Sequence, residues 1–415
     1  MNQADAPSNL TRPSPGIVLA GGILGMVVAM GIGRFAYTPI LPAMQRDTGL
    51  GYLIAGQLAS WNYLGYLAGA LILALLPIIL RSRFLYPTAL AASCATTLAM
   101  GLTARVFAWG VLRFAGGLAS AMIFVTLSSM VIPRMNRLGR THIASLLFSG
   151  IGFGIMLTAG TVPVLDWYFA WRGSWIGLGI IGCVASLVSW LFLKNVSNEQ
   201  GSSELPDASR DKTGITMLTT AYFLEGLGYI VTATFLVAIL RSSPDLSHWA
   251  VASWMVVGIS AVPSTYYCRA AAVRFGWRRV SVLAYMSQAC GLFLSVMSTG
   301  PVGILAASAI FGWTLMGITA LTMAEGARRA GIHQTRVAAV LTTAFALGQM
   351  IGPAGAGWVA ERTGGFHLPI ILAGCCVTLG GVLVLLDRSA HTAQRRLDVA
   401  PGRFTGGAER AMLLN

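Results

Sequence analysis

Charge is scarce along this chain of 415 residues: Asp, Glu, Lys and Arg make up 10% of it, against the roughly 25% of an ordinary soluble domain. That leaves too little polar surface for a water-soluble globule. Acid is scarcer still, with 14 Asp and Glu facing 28 Lys and Arg for a net charge of +14. Such an excess can mark a nucleic-acid binder, but here the basic residues are scattered through short stretches between apolar runs, and no nucleic-acid partner is expected. The sequence also lacks HExxH, a Walker loop, paired acids at a workable spacing and any Ser/His/Asp set that would sit together. It therefore reads as a non-enzyme without an ATP site, driven by ion or substrate gradients. The six cysteines show no metal-ligand spacing, so no metal and no cofactor is expected. No small-residue cleavage site follows a short apolar core, so the first apolar run reads as a retained span.

What the chain has is apolar length. It is 55% hydrophobic with a mean hydropathy of +0.71, and runs of about 20 apolar residues recur from end to end, each able to cross a ~30 Å hydrocarbon layer. The runs and their punctuation give twelve spans, at roughly 17–41, 51–76, 86–104, 106–132, 142–164, 173–194, 214–240, 248–268, 280–299, 301–325, 335–359 and 367–387. Asn195–Thr213 (NVSNEQGSSELPDASRDKT) is a polar linker between the sixth and seventh. The predicted organisation is all-α and polytopic. It comprises an N-terminal tail at 1–16, a six-helix bundle at 17–194, the linker at 195–213, a second six-helix bundle at 214–387 and a basic tail at 388–415.

Charge location orients the spans. With the N-terminus inside, only Arg46, Arg105, Arg172, Arg241 and Arg362 fall outside and only Arg34 and Arg113 fall within spans. All remaining Lys and Arg lie inside, which satisfies the positive-inside rule and places both termini in the cytoplasm.

A repeat joins the two bundles. Shifted by 195 residues, MGIGRFAYTPIL at Met30–Leu41 falls on EGLGYIVTATFL at Glu225–Leu236, with Gly31 and Gly33 on Gly226 and Gly228. The same offset places Arg83 on Arg278 and Arg113-Phe-Ala-Gly-Gly117 on Ser308-Ala-Ile-Phe-Gly312. Two related halves with a site near the midplane form a known transporter plan.

Several motifs resemble the major facilitator superfamily (MFS). Arg113-x-x-x-Gly117-x-x-x-Ala121 resembles its fourth-span arginine motif, and the basic loops containing Arg81, Arg83 and Arg278 sit where its cytoplasmic loop motif belongs, although the usual loop aspartate is missing. GIGRFAYTPILPAM, YFLEGLGYIVTATFL and ALGQMIGPAGAGWVAERTG are similar to the YbfB/YjiJ-type subgroup. The resemblance implies two pseudo-symmetric six-helix bundles, alternating access, a bacterial inner-membrane location, a monomer, and spans one and seven lining a central cavity. A Gly-Pro motif in span five accompanies antiport in this superfamily. Here Gly352-Pro353 lies in span eleven instead.

The candidate site starts from Arg34, a charge at membrane depth that costs ~2.5 kcal/mol or more to place there. Either it snorkels to the headgroups, or it binds the anionic end of a substrate. Glu225 is the one acid well inside a span; it would carry a coupling proton, form a permanent pair with an arginine, or touch substrate. Tyr37, Asn62, Arg113, Tyr229 and Gln349 complete the predicted substrate-binding set. Gln57, Trp61, Tyr63, Tyr222 and Trp313 are further lining candidates, for each of which packing or interface anchoring is the rival reading. Gly31, Gly33, Gly117, Gly226, Gly228, Gly352 and Pro353, with Arg81, Arg83 and Arg278, are assigned to close helix packing and gating. Two arginines against one acid favour a small organic anion as substrate, with protons as the coupling ion. Proton-antiport efflux of drug-like compounds and a non-transporting sensor of the same fold are the alternatives.

Overall fold

In a computed structural model, residues 14–196, 212–330 and 334–387 are described, with side chains at all of these except 141–142, 212–214 and 334–336. The expected linker, apart from its ends, most of the N-terminal tail, the basic C-terminal tail and His333 lie outside the described residues.

A lipid-embedded backbone must satisfy its own polar groups, and the described chain is helical with no strand among the described residues. Ser14 caps helix α1 (Pro15–Met26), accepting from the Ile17 amide, with proline in the first turn where a missing N–H costs nothing. The chain continues as a π-helical segment, Val27–Phe35, and then as α2, Tyr37–Thr48, which ends at Gly49 in the left-handed conformation (φ 69°). There follow α3 (Tyr52–Leu75), α4 (Leu85–Leu102), α5 (Val106–Arg137) and α6 (Ser149–Leu193). Beyond 211 come α7 (Lys212–Ser242), α8 (Ala250–Phe275), α9 (Trp277–Met297), α10 (Pro301–Leu315), α11 (Gly317–Ala330), α12 (Gln334–Thr363) and α13 (His367–Leu386).

Among the described residues, ten helical stretches are long and apolar enough to cross a membrane. They depart from the predicted spans in three places. The first runs from Pro15 to Thr48, seven residues beyond the expected end at 41. Predicted spans five and six form one helical run, Ser145–Leu193, interrupted inside the expected loop at Ala170 (φ 53°, ψ −171°), where an L-residue leaves the helical region. The predicted eighth span is α8, a helix of sufficient length that is not among the ten.

The contacts between the N- and C-terminal parts come in pairs. Helix α3 packs along α12, and α6 packs along α8. The 195-residue offset maps α3 onto α8 and α12 onto α6, so these two seams are equivalent. Both depend on backbones meeting without side chains between them: a Cβ on Gly56 would lie 2.1 Å from the Pro353 carbonyl oxygen, and one on Gly152 would lie 2.7 Å from that of Gly258. A third contact lies where the repeat meets itself. The Thr38 hydroxyl donates to the Ala233 carbonyl at 2.5 Å, and these positions are 195 apart.

That third contact is confined to one end. Helix α2 packs against α7, whereas α1 and the π-helical segment make no extended contact with α7 among the described residues. At the α2 end the parts are further joined by the Leu53 amide donating to Glu361 at 3.2 Å, the Ala354 amide donating to Ser60, and Tyr52 packed edge-on against Phe366. We call this the far face. The opposite end, carrying Arg81, Arg83, Arg134, Arg278 and Arg328, is the basic face.

Candidate solute site at the centre of the helices

Arg34 lies in the π-helical segment and is 3% exposed. The extension of the first helix to Thr48 puts it about fourteen residues, or ~21 Å at 1.5 Å per residue, from the far end. That distance and its burial exclude snorkelling to that end. The guanidinium carbon stands 4.5 Å from the ring centroid of Tyr63 and 4.7 Å from that of Tyr66, which lie three residues apart on one face of α3. Ring faces attract a cation but accept no strong hydrogen bond, and Arg34 Nε and Nη2 have no partner.

Glycines let the segment sit where it does. A Cβ on Gly31 would come within 2.3 Å of the Gly154 Cα, so the first helix and α6 touch backbone to backbone. Gly33 faces the hydroxyls of Ser120 and Ser93. In the C-terminal part Gly226 meets the Phe345 carbonyl, Gly228 that of Ala373 and Gly352 that of Leu227, which brings α7 against α12 and α13.

Arg113 is also buried, but it is held differently. Its Nε donates to the Leu58 carbonyl at 3.4 Å and Nη1 to the Gly33 carbonyl at 3.5 Å, while the guanidinium lies 4.7 Å from the Tyr37 ring centroid. Asn62 donates to the Arg113 carbonyl at 2.9 Å, Gly117 lies against the Asn62 carbonyl, and Tyr37 donates its hydroxyl to the Ala55 carbonyl. Arg113 thus ties α3, α5 and the π-helical segment together, with Nη2 alone unpartnered.

Across the seam, Glu225 is fully buried. Gln288 of α9 donates to its Oε1 at 3.4 Å, and Oε2 has no partner. No ion pair joins Glu225 to either buried arginine among the described residues, so the permanent-pair reading of Glu225 does not describe this conformation. Gln349 donates to the Tyr229 hydroxyl. Tyr229 stacks on Phe345 at 5.4 Å, and Tyr222 stacks on Phe345 at 4.2 Å. Tyr229 lies within electrostatic reach of Arg34, Glu225 and Tyr63 at once. The predicted residues Arg34, Tyr229, Glu225 and Gln349 therefore belong to one neighbourhood, with Tyr37, Asn62 and Arg113 adjoining through the π-helical segment.

Other expectations fall elsewhere. Gln57 and Trp61 line a groove of about 440 Å³ between α3 and α5 on the outside of the molecule, and Trp313 is 40% exposed. Arg81 and Arg83 are exposed on the basic face, and Arg278 donates to the Leu385 carbonyl there.

Sequence reasoning missed three features. Gln288 is an amide in the middle of an apolar span, a signal as strong as the one that marked Gln349. Tyr66 is Tyr63's partner one helical turn on. The third is an ion cluster at the basic face: buried Glu325 accepts from Arg328 and from Arg329, and Arg329 also donates to Asp387 at 2.5 Å and covers the Trp277 ring.

Residues 26–385 match the family described as "Uncharacterised MFS-type transporter YbfB". The chain belongs to that family. It is accordingly an MFS-type transporter protein and a multi-pass membrane protein. Among solved structures, a point mutant of the nucleoside transporter NupG aligns with a TM-score of 0.67 over 91% of this chain and 99% of its own. Identity is 13%, so the likeness is one of fold.

Proposed function

We propose that this YbfB-family protein is a secondary transporter that moves a small organic anion, such as a carboxylate, across the bacterial inner membrane by alternating access. Twelve spans form two six-helix halves, at 17–194 and 214–387, joined by the linker at 195–213, with both termini cytoplasmic. The carrying observation is Arg34: a guanidinium buried at mid-helix, held by two tyrosine rings, with two N–H-bearing nitrogens unpartnered and no carboxylate paired to it among the described residues. An unpaired buried cation is expensive, and an incoming carboxylate would supply both the charge and the acceptors. Arg113, engaged by two backbone carbonyls, supports the site from behind and adds positive potential.

Glu225 carries the coupling proton on this reading. Its Oε2 has no partner, and entry of water or substrate as the halves rock would let a proton exchange there. The contacts gathered at the far face, with α1 apart from α7, fit a state closed on the periplasmic side.

The fold neighbour's nucleoside is not carried over to this chain. A nucleoside base needs open ring faces, and the Tyr222–Phe345–Tyr229 stack spends its inner faces on itself. Efflux of drug-like compounds by proton antiport uses the same acid and differs in direction.

The test is transport of radiolabelled organic acids in proteoliposomes under an imposed pH gradient. Arg34→Ala should abolish saturable uptake. Glu225→Gln should keep exchange of substrate across the membrane while losing accumulation driven by the pH gradient. Accumulation that survives Glu225→Gln would remove the proton role, and substrate affinity unchanged in Arg34→Ala would remove the anion site.

A further inference from the structure

The two walls of the site differ in the kind of hydrogen bond they leave unmade. On the N-terminal side the unpartnered guanidinium atoms are donors: Arg34 Nε, Arg34 Nη2 and Arg113 Nη2. Asn62 Oδ1 is the exception, next to an amide group already used on the Arg113 carbonyl. On the C-terminal side the unpartnered carboxylate and amide atoms are acceptors: Glu225 Oε2, Gln288 Oε1 and Gln349 Oε1. Arg34, Glu225, Gln288 and Gln349 are all buried to 3% exposure or less. Burial without a partner costs each of these groups free energy. Among the guanidinium, carboxylate and side-chain amide groups the unmet needs are thus mainly donors on one side and acceptors on the other, while hydroxyls that can serve as either, Tyr285 within electrostatic reach of Glu225 among them, are unpartnered as well.

The opposite charges do not cancel one another. Arg34 and Glu225 form no ion pair, although Tyr229 is within electrostatic reach of both. Tyr229 is held in place by its bond to Gln349 and its stacking on Phe345. A ligand with only an anionic end would satisfy Arg34 and leave Glu225, Gln288 and Gln349 as they are.

We infer that the solute is dipolar: an anionic group bound by Arg34 at one end, and an ammonium or comparable multiple N–H donor received by Glu225, Gln288 and Gln349 at the other. A primary ammonium has three N–H donors and no acceptor, which complements three acceptor oxygens without a donor. Charge-assisted hydrogen bonds at both ends are the strong kind. The chemical class is that of amino acids and ω-amino carboxylates, with Gln288 as a specificity residue. This inference rests on the anion-site reading of Arg34 and extends it to the opposite wall.

The experiment measures ligand-induced thermal stabilisation of the full-length protein in detergent micelles. The probes are the zwitterions from glycine to ε-aminocaproate, the matched unsubstituted carboxylates, the N-acetylated amino carboxylates and the matched alkylamines. At least one zwitterion should bind about tenfold or more tightly than its matched carboxylate and its N-acetyl derivative, a difference of ~1.4 kcal/mol. Glu225→Gln and, as a second variant that keeps Glu225, Gln288→Met should each erase that preference while carboxylate binding persists. Arg34→Lys should weaken every anionic probe.

Carboxylates that bind as tightly as zwitterions in an Arg34-dependent manner would overturn the dipolar inference and leave the anion site standing. Alkylamines that bind as well as zwitterions, with Arg34→Lys without effect, would overturn both. Absence of binding by the whole zwitterion series would overturn the inference for this class.

Discussion

Under the 195-residue offset Arg34 falls on Tyr229 and Met30 on Glu225, so the two related parts of the chain place different chemistry on one backbone plan. The π-helical segment and α5 carry the buried cations Arg34 and Arg113. Their counterparts in α7 and α10 are Tyr229 and Ser308, and the buried acid appears one turn earlier, at Glu225. The basic face shows the reverse bias. In the C-terminal part Glu325, Arg329 and Asp387 form a buried ion cluster with the exposed Arg328 at its edge, whereas the offset places Met130 where Glu325 would be, Arg134 where Arg329 would be and Phe192 where Asp387 would be. Packing is shared between the parts and charge is not. Gly31 and Gly226 each let another backbone approach, that of Gly154 and that of Phe345, so the repeat keeps the glycines. On the proposed function the charges serve a site that the parts build together, and such a site has no use for the same group on both walls.

The comparison can be broken at the basic face first. Glu325→Ala would take from Arg329 the carboxylate of its own helix and should cost about 3–5 kcal/mol, as breaking a buried pair does, read as a large fall in thermal-denaturation midpoint. Arg134→Gln, at the equivalent place in the N-terminal part, should change stability by less than about 0.5 kcal/mol. Equal losses would mean that the N-terminal part holds its own cluster.

The central site gives the next effect. Arg34→Ala should weaken binding of an anionic substrate by about 2–4 kcal/mol, the usual cost of truncating one member of a buried charge pair. Tyr229→Phe removes only the hydroxyl that Gln349 bonds, and should cost about 1 kcal/mol in the same titration. If the two substitutions cost the same, the walls do not divide the labour by charge.

A smaller effect is expected at the far face. Glu361 accepts from the Leu53 amide in the first turn of α3, a cap supplied from the other part of the chain. Glu361→Gln should weaken this closure by roughly 1 kcal/mol and increase labelling, from the far face, of a cysteine introduced at Thr38. Labelling unchanged from that of the parent would mean that the cap does not contribute to closure.

Much of this was legible in the sequence because it depends on composition and period. Twenty-residue apolar runs have few ways to bury their backbone polar groups, and the 195-residue offset shows in glycines that must remain small. Arg34, Arg113, Glu225 and Gln349 stood out because polar groups at membrane depth are costly. Other features were not legible. Nothing local indicates that Tyr63 and Tyr66, rather than lipid or a carboxylate, face Arg34, because that depends on how α3 rotates against the first helix. Gln288 shows in the sequence only as an amide in mid-span, without its partner Glu225. Asp387 falls at a span end in the sequence, and only the return of α13 to Arg329 makes it part of a cluster.

The sequence by itself determined that this is an apolar, repeated, helical chain with a few charges placed where hydrocarbon should be. Only the tertiary structure decided that those charges are kept apart. Whether Arg34 meets Glu225 or stays within tyrosine rings depends on distances between helices from different parts of the chain. Those distances are set by glycine contacts and seam packing many residues away, and no local pattern of residues encodes them.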